Sequence, residues 1–423
     1  MGPFGTAPCM NTEDSMSLNE TVSAERVHIS FFGKRNAGKS SLVNAVTGQS
    51  LSVVSPVKGT TTDPVKKAME LLPLGPVLII DTPGYDDEGE LGELRVSKTN
   101  EVLAKTDVAV LVYDASSGMT AEDAVLLTKI RKRNIPVILA ANKTDLLPDA
   151  DALTAHNTAN EGEIPINVSA VTGKGVHVLK ERIADLGRQS ARPKFILKDL
   201  VEPGDTVVLV IPIDASAPKG RLILPQQLTL RELLDLHCVP VCCQVEELAK
   251  TICSLKTSPR LIITDSQAFG RVAPLVPEDL LLTSFSILFA RYKGELSTLV
   301  KGAAALRDLK DGDRVLISEG CTHHRQCNDI GTVKMPCWIR AYTGKELSFS
   351  FTSGGEFPEN LTEYNLVIHC GGCMLNEKEM RRRMDAAILC GVPMVNYGVA
   401  IAQMHGILYR SLAPFPAAQA LIR

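Results

Sequence analysis

Aromatic residues and long apolar runs are scarce in this chain of 423 residues. Aromatics make up 4%, with Trp338 as the single tryptophan, so the stacking surfaces of single-strand nucleic-acid binders are not expected. Lysine plus arginine (45) nearly balance aspartate plus glutamate (48), and a net charge of −3 argues against a coat for nucleic acid or an acidic membrane. No apolar run approaches the roughly 18 residues of a membrane span, and residues 1–24 lack the apolar segment of a secretion signal. We therefore expect a cytoplasmic protein with no nucleic-acid or membrane partner.

Short apolar runs alternate with helix-length amphipathic stretches from Val27 onward, and hydrophobic residues reach a normal globular share of 45%. This alternation is typical of βαβ units and predicts an α/β fold with mostly parallel sheets. The length favours several domains, and we predict a flexible tail (1–24) followed by three α/β domains (25–192, 193–290 and 291–423). The predicted strands are Val27–Phe32, Val77–Ile80, Val108–Val112, Val137–Ala140, Ile166–Val168, Thr206–Ile211, Arg221–Leu224, Cys238–Cys243, Arg260–Ile263, Arg314–Ile317 and Leu366–His369.

The segment Gly33–Ser40 fits the phosphate-binding pattern G-x-x-x-x-G-K-[ST] and lies between a predicted strand and a predicted helix. Glycines at these positions let backbone N–H groups surround phosphate oxygens at the start of the helix. Lys39 is expected to reach the β- and γ-phosphates, and the Ser40 hydroxyl to bind Mg²⁺. The pattern predicts a nucleotide-binding P-loop.

Three further polar segments each follow a predicted strand. Asp81-Thr82-Pro83-Gly84 offers a carboxylate for the Mg²⁺ shell and a glycine N–H for the γ-phosphate. Asn142-Lys143-Thr144-Asp145 offers a carboxylate that can accept hydrogen bonds from guanine N1–H and N2–H₂, a donor pair that adenine lacks. A backbone N–H of Ser169-Ala170 can reach guanine O6. Four such segments in this order predict a site for GTP and Mg²⁺, with hydrolysis assigned to Lys39, Asp81 and Gly84. The predicted nucleotide contacts are Asn36, Ala37, Gly38, Lys39, Ser40, Ser41, Asn142, Lys143, Asp145, Ser169 and Ala170.

These segments resemble the TrmE- and Era-like GTPases of tRNA modification and ribosome assembly. The resemblance identifies Gly59–Asp63 as switch I and assigns Thr61 as its Mg²⁺-sensing residue. It also assigns Asn36 to the coordination of K⁺ beside the phosphates. Tyr85 stands where Ras-like enzymes place a water-orienting glutamine, so we expect slow hydrolysis that depends on another charge stabiliser such as K⁺.

Two cysteine- and histidine-containing segments follow predicted strands of the third domain, and the chain has 11 cysteines in all. Cys321-Thr322-His323 follows Arg314–Ile317, and His369-Cys370-Gly371-Gly372-Cys373 follows Leu366–His369 and is expected to open a helix. The carboxyl ends of parallel strands share one sheet edge, where ligands gather. In a reducing compartment such a set indicates metal or redox chemistry. A Cys₃His zinc site, an iron–sulfur cluster with one labile iron, and buried free thiols all remain open from the spacing alone.

The C-x-H…H-C-x-x-C arrangement downstream of a potassium-type GTPase domain resembles the [FeFe]-hydrogenase maturation GTPases, the HydF family. The resemblance implies a [4Fe–4S] cluster on Cys321, Cys370 and Cys373 with an exchangeable fourth iron site. It implies a scaffold that carries a di-iron subcluster precursor, made with two radical-SAM maturation enzymes, to apo-[FeFe]-hydrogenase, with a central domain that forms a homodimer or tetramer. The fourth ligand stays open among His323, His369, Cys327, Asp329, Cys337 and an exogenous group.

Two other functions would also fit a GTPase domain followed by a metal site. An RNA-associated GTPase of tRNA modification or ribosome assembly with a structural zinc requires a basic RNA-binding module, which the charge balance disfavours. A GTPase that inserts metal into another metalloenzyme is excluded only by the family resemblance.

Cysteines 238, 242 and 243, with His237, are expected in the core of a buried strand, and Arg381-Arg382-Arg383 is expected on a solvated helix face.

Overall fold

Three β-sheets organise the part of the chain that the computed structural model describes. That part consists of residues 25–48, 64–84, 90–147, 164–190, 195–213, 222–320, 329–358 and 360–422, with the backbone alone for 90–97 and 190. All strand pairs in it are parallel except one antiparallel pair in the first sheet. The predicted α/β class with mostly parallel sheets is confirmed.

The first sheet has the order β2-β3-β1-β4-β5-β6 within these residues. Its central strands are buried on both faces: Ile29 and Val110 contribute to one core cluster, and Phe32 and Leu111 to the other. Double burial explains why these strands read as unbroken apolar runs. The elements are β1 (Val27–Phe32), α1 (Lys39–Thr47), β2 (Val65–Leu71), β3 (Gly75–Asp81), α2 (Glu90–Lys105), β4 (Val108–Asp114), α3 (Ala121–Lys132), β5 (Val137–Asn142), β6 (Ile166–Asn167) and α4 (Val176–Ser190).

The second sheet is parallel, with the order β10-β9-β7-β8 over the described strands. Strand β7 is central and buried, whereas β8 forms an edge at which Val239 is 51% exposed. The elements are β7 (Thr206–Val210), α5 (Leu224–Asp235), β8 (Val239–Cys243), α6 (Leu248–Ser254), β9 (Leu261–Thr264), α7 (Phe269–Val272), β10 (Leu282–Ser284) and α8 (Phe285–Lys293).

The third sheet is also parallel, with the order β12-β11-β13-β14 among the strands that are described. Strand β11 pairs with β13 so that Ser318 lies opposite His369. The carboxyl ends of the two strands that precede the cysteine segments therefore lie side by side. The elements are α9 (Leu296–Asp308), β11 (Arg314–Glu319), α10 (Met335–Thr343, preceded by a π-helical turn, Ile330–Lys334), β12 (Ser348–Ser353), β13 (Leu366–His369), α11 (Glu377–Leu389), β14 (Met394–Asn396), α12 (Tyr397–Met404), α13 (Leu408–Ser411) and α14 (Pro416–Gln419).

One continuous hydrophobic cluster underlies the second and third sheets. It includes Val208 and Ile262 from the second sheet, Leu316 and Ile368 from the third, and Ala400 from α12. Helix α9 packs closely on β14, because a Cβ on Gly302 would collide with the backbone of Met394. These two sheets are therefore packed together through shared core side chains.

Several local predictions are wrong. No strand is formed by residues 222–224, because α5 begins at Leu224 with a proline in its first turn, and Arg221 lies outside the described residues. The strand β8 is not buried as expected: Cys242 is exposed and Cys243 half-buried, since β8 is an edge strand, whereas Cys238 is buried. The helix expected to follow the His369–Cys373 segment is formed and begins at Glu377, where the Asn376 side chain accepts a hydrogen bond from the Glu379 N–H and caps it.

None of the helices in the described segments is both long and apolar enough to cross a lipid bilayer.

Candidate functional site

The P-loop holds its lysine inside the loop that is predicted to bind phosphate. Lys39 is the first residue of α1 and is only 7% exposed. Its ammonium donates to the backbone carbonyls of Gly33 and Lys34, at 2.7 Å each. Gly38 has a positive φ of 84°, and a Cβ there would collide with the side chain of Asn142, so a glycine is required. The loop is built to hold one positive charge where phosphate oxygens enter.

The two predicted Mg²⁺ ligands that the structure describes are in direct contact. The Ser40 hydroxyl donates to Asp81 Oδ2 at 2.6 Å, which joins the start of α1 to the end of β3. A hydroxyl and a carboxylate at one point are the oxygen donors that Mg²⁺ prefers beside nucleotide phosphates, so these residues fit the ion. Gly84 lies three residues after Asp81, whereas Thr61 and Tyr85 fall outside the described residues.

Asn142 connects the P-loop to the segment predicted to read guanine. Its amide nitrogen donates to the Ala37 carbonyl at 3.0 Å, and its Oδ1 accepts from the Ala170 N–H at 3.1 Å. The backbone donor expected to reach guanine O6 is thus engaged with Asn142 in this structure. Ser169 is fully buried, and its hydroxyl accepts from the Thr172 N–H at 3.1 Å. Asn142 therefore fixes the position of the P-loop relative to the loop that contains Ala170.

Lys143 forms an ion pair that the sequence analysis did not anticipate. Its ammonium lies 2.7 Å from Asp114, the last residue of β4. Partial burial acts to raise the pKa of Asp114, but hydrogen bonds from Lys143 and Ser116 hold that pKa below its ordinary value. Asp145 is exposed, and Asn36 is exposed with a positive φ of 62°. The position of Asp114 at the carboxyl end of a strand next to β5 was the available signal.

At the carboxyl edge of the third sheet, Cys370 is held at three atoms. Its N–H donates to the Ser318 carbonyl at 2.9 Å, and its carbonyl oxygen lies 2.8 Å from His369 Nδ1. Its Sγ accepts hydrogen bonds from the Gly320 N–H at 3.0 Å and the Gly372 N–H at 3.4 Å. Backbone N–H groups aimed at a sulfur stabilise the thiolate that binds a metal or an iron–sulfur cluster.

Cys373 lies in the same loop as Cys370, beside a buried lysine. Burial raises the pKa of Cys373, and Lys293 and backbone N–H groups oppose that shift. Lys293, the last residue of α8, donates to the carbonyls of Cys373 (3.1 Å) and Leu375 (2.8 Å) and lies 2.9 Å from the Glu25 carboxylate. Two thiols in one backbone-supported loop fit an iron–sulfur centre. Cys321 and His323, the other predicted ligands on this edge, lie outside the described residues.

His369 is fully buried behind the Cys370 loop. Burial lowers the pKa of His369 to about 3, and Arg383 acts in the same direction. The Arg383 guanidinium lies 3.0 Å from His369 Nε2 and pairs with Glu379 at 2.9 Å. The expectation that Arg381–Arg383 forms a solvated face is therefore wrong for Arg383, which is 0% exposed, because the last arginine of the run points into the core.

The remaining candidates for a fourth ligand are placed as follows. The Asp329 carboxylate accepts from the N–H (2.9 Å) and the hydroxyl (3.0 Å) of Thr332, and so caps the helical segment that follows. Cys337 is exposed on α10, and Cys327 falls outside the described residues. Within the described ranges, which omit 321–328, no group of three His, Cys, Asp or Glu side chains is arranged to hold a metal ion.

A carboxylate next to the cysteine edge was missed by the sequence analysis. Glu319, the last residue of β11, accepts from the Tyr397 hydroxyl at 3.2 Å. Burial raises the pKa of Tyr397 well above its ordinary value, and the nearby Cys370 and Glu319 reinforce that shift. The position of Glu319, two residues before Cys321 on the same strand end, was the signal that could have found it.

The loop after Cys373 also contacts the first domain. Asn376 donates to the Lys105 carbonyl at 2.7 Å, and Lys378 donates to the Thr106 carbonyl at 2.8 Å and lies 3.6 Å from Asp107. These carbonyls belong to the end of α2 and the residue after it. Helix α2, which follows the Asp81–Gly84 segment, thus has its C-terminal end hydrogen-bonded to the loop that follows Cys373.

Comparison with known proteins finds three family models that match successive parts of the chain. Residues 28–143 match the family described as "50S ribosome-binding GTPase". Residues 196–294 match "Hydrogen maturase F dimerization domain", and residues 297–414 match "Hydrogen maturase F tetramerization domain". This chain belongs to the hydrogen maturase F family. The family recognised from the cysteine motif is confirmed, and with it a GTPase domain in front of two oligomerisation domains.

Curated relatives of the MnmE type match the GTPase domain alone. The tRNA modification GTPases MnmE of Endomicrobium trichonymphae and Prochlorococcus marinus (strain MIT 9303) are 34% and 33% identical, each over 38% of this chain. The chain spans about a third of the length of these relatives, 35% in both cases. Among solved structures, Era in complex with MgGDPNP and 16S ribosomal RNA nucleotides aligns at 21% identity over 51% of this chain and 91% of that chain, with a TM-score of 0.35.

Proposed function

We propose that this protein is a cytoplasmic GTP-hydrolysing scaffold for [FeFe]-hydrogenase maturation. It holds a [4Fe–4S] cluster and carries a di-iron subcluster precursor to apo-hydrogenase, in cooperation with two radical-SAM maturation enzymes. The observation that carries the proposal is the joint presence, in one chain, of a GTPase domain and both hydrogen maturase F domains. The oligomerisation domains support a working homodimer or tetramer.

In the GTPase domain, the P-loop, the Asp81 segment and the Asn142 segment each have supporting contacts. Lys39 neutralises the β- and γ-phosphates, and Ser40 with Asp81 holds Mg²⁺, which supplies a Lewis acid for the developing phosphate charge. Asp145 offers the exposed carboxylate for guanine. Asn36 is proposed to bind K⁺, which then replaces the missing glutamine as charge stabiliser.

In the third domain, Cys370 and Cys373 are proposed to hold the cluster together with Cys321. The loop supports this assignment because backbone N–H groups donate to the Cys370 sulfur, and Lys293 donates to the carbonyls of Cys373 and Leu375. The cluster supplies an iron site at which the di-iron precursor, the cargo of the protein, is anchored. Glu319, a carboxylate at the end of β11 that the sequence did not suggest, joins the candidates for the fourth ligand.

The contact between α2 and the loop after Cys373 supports a coupling of nucleotide state to cluster handling. Switch helices move when the γ-phosphate is lost. The end of α2 accepts a hydrogen bond from Asn376, which also caps α11. A shift of α2 is therefore expected to reach the cysteine loop and to bias the binding or release of partners.

The proposed cluster is tested on protein purified without oxygen. Iron, sulfide and zinc are measured, and the reduced protein is examined by EPR. We expect about four irons and four sulfides per chain with a [4Fe–4S] signal, which Cys370→Ala and Cys373→Ala abolish. Cys390→Ala is the matched control, since Cys390 follows the opposite end of the 13-residue helix α11. Stoichiometric zinc without iron, after reconstitution as well, refutes the proposal.

The coupling is tested with a substitution that separates the two roles of Asn376. Asn376→Asp keeps the oxygen that caps α11 but removes the N–H that reaches the Lys105 carbonyl. We expect the affinity for apo-hydrogenase to differ between GTP-bound and GDP-bound wild-type protein, and this difference to shrink in the variant at unchanged cluster content. Equal affinities in both nucleotide states of the wild type contradict the coupling.

The tRNA-modification alternative has a direct test. The similarity to MnmE is confined to the GTPase domain, so RNA binding is not expected. A gel shift with tRNA over a range of salt concentrations checks this, since phosphate contacts produce a steep salt dependence.

A further inference from the structure

We propose that His369 is a positioning residue for the Cys370 loop and not an iron ligand, with Arg383 fixing its orientation. This inference rests on the proposed cluster function of the loop. It assigns a role to His369, a predicted candidate for the fourth ligand, and to Arg383, which was predicted to be exposed to solvent. The observations are the contacts around the two ring nitrogens and around Arg383.

Both nitrogens of the His369 ring are engaged by the protein. Nε2 lies 3.0 Å from Arg383 Nη1, and a guanidinium can only donate, so Nε2 must accept. The ring of a neutral histidine carries one proton, which is then on Nδ1, 2.8 Å from the Cys370 carbonyl. Nδ1–H therefore donates to that carbonyl. No lone pair remains on His369 for a metal in this arrangement.

Arg383 supports Cys370 from two sides at once. Through His369 it holds the Cys370 carbonyl, and through a 3.3 Å contact with the Ser318 hydroxyl it holds the residue whose carbonyl accepts the Cys370 N–H. Its second amino group donates to the Gly354 carbonyl at the end of β12. The carboxyl ends of β11, β12 and β13 are thus joined by one buried guanidinium.

The position of Arg383 is itself fixed by charge and packing. Its Nε donates to Glu379 at 2.9 Å, one turn earlier on α11. Its guanidinium carbon lies 5.0 Å from the centre of the Phe357 ring. A buried charge of this kind persists only when its donors are satisfied, and here they are satisfied by groups that surround the cysteine loop. Outer partners of this type orient ligands and influence how firmly the metal is held.

The chemistry of the side chains offers a matched pair of substitutions. The amide nitrogen of asparagine is reached from Cα through the same number of bonds as Nδ1, so His369→Asn can keep the donor to the Cys370 carbonyl. The amide group of glutamine instead matches Nε2, so His369→Gln faces Arg383 but loses the bond to Cys370. If His369 positions the loop, the His369→Asn variant should keep the loop in place and the His369→Gln variant should not.

The holoprotein test measures spectra and cluster retention. In wild-type protein with ¹⁵N-labelled histidine, we expect no coupling of the reduced cluster to a nitrogen of His369. We expect the EPR spectrum and the rate of iron loss to a chelator to be unchanged in His369→Asn, and iron loss to be about tenfold faster in His369→Gln. A histidine nitrogen coupling that disappears in His369→Asn overturns the inference, as does equal cluster loss in both variants.

A second measurement uses the apoprotein and does not depend on the cluster. The ¹⁵N shifts of the His369 ring report its tautomer, and we expect the proton on Nδ1 in the wild type. Arg383→Lys is expected to disturb this preference, whereas Arg381→Lys, on the exposed side of the same helix, leaves it unchanged. A proton on Nε2 in the wild type refutes the inference even if the protein binds a cluster. Absence of a cluster with the expected tautomer instead refutes the proposed function alone.

Discussion

Replacing Lys293 with methionine is expected to destabilise the protein strongly, because this ammonium joins groups from all three domains. Its side chain is 4% exposed, and it pairs with Glu25 at 2.9 Å. Methionine keeps much of the volume but leaves the carbonyls of Cys373 and Leu375 without their donor, at a cost of about 1–3 kcal/mol each. The Glu25 carboxylate then keeps the hydrogen bond that it accepts from the Tyr292 hydroxyl at 2.8 Å but loses its cationic partner. Loss of one partner of a buried ion pair costs about 3–5 kcal/mol in total, and we expect a value in that range.

Urea unfolding followed by the fluorescence of Trp338 measures this effect. Trp338 packs against the continuous core of the second and third sheets, so its signal follows their unfolding. The matched control is Lys301→Met, which removes an exposed lysine and is expected to change stability by about 0.5 kcal/mol or less.

A double-mutant cycle with Glu25→Gln isolates the ion pair. We expect a coupling energy of about 1–3 kcal/mol between Lys293 and Glu25. A Lys293→Met protein within about 1 kcal/mol of the wild type shows that the buried ammonium does not hold the three domains together.

Three further outcomes follow from the nucleotide site and the α11 ion pairs. Asp145→Ala is expected to weaken GTP binding about 100-fold through two lost charge-assisted hydrogen bonds, as measured by titration with a fluorescent guanine nucleotide, without an equal loss for ATP. Exchange of K⁺ for Na⁺ is expected to slow GTP hydrolysis by the wild type about a hundredfold in a phosphate-release assay. The Asn36→Ala variant is expected to hydrolyse GTP at the same rate in either salt. Burial acts to raise the pKa of Glu379, but its arginine partners hold that pKa below the ordinary value. Its ion pairs therefore stabilise the protein above the unfolded carboxyl pKa of about 4.3 and are lost as the pH falls through the lower folded value, so Glu379→Gln should remove part of the acid destabilisation seen by Trp338.

The central strands and the nucleotide motifs could be predicted because their signals are local. Strands such as Val108–Asp114 are buried on both faces, and the resulting apolar runs are visible without a structure. The P-loop and Asn142 lie at carboxyl ends of such strands, so a parallel sheet necessarily brings them to one edge. The contact between Ser40 and Asp81 is a direct consequence of that topology.

Burial of charge could not be predicted because it depends on distant partners. Arg381, Arg382 and Arg383 look alike in sequence, yet only the last faces the strand ends of the third sheet. In the same way, nothing near Lys293 in the chain indicates Glu25, which is separated from it by most of the GTPase and dimerization domains. The exposure of Cys242 depends on β8 being an edge strand, which is a property of strand order and not of composition.

The two buried cations have a common effect on the cysteine loop. Lys293 donates to the carbonyls of Cys373 and Leu375, and Arg383 orients the histidine that donates to the carbonyl of Cys370. The carbonyl oxygens of the loop thereby accept hydrogen bonds that fix the loop backbone. Backbone N–H groups of the loop and of Gly320 are directed at the Cys370 sulfur. Because these donors belong to the protein and not to a metal, we expect the loop to keep its shape when its inorganic centre is absent. A loop that is shaped in advance fits the proposed role of a scaffold that loads and releases a metal cargo.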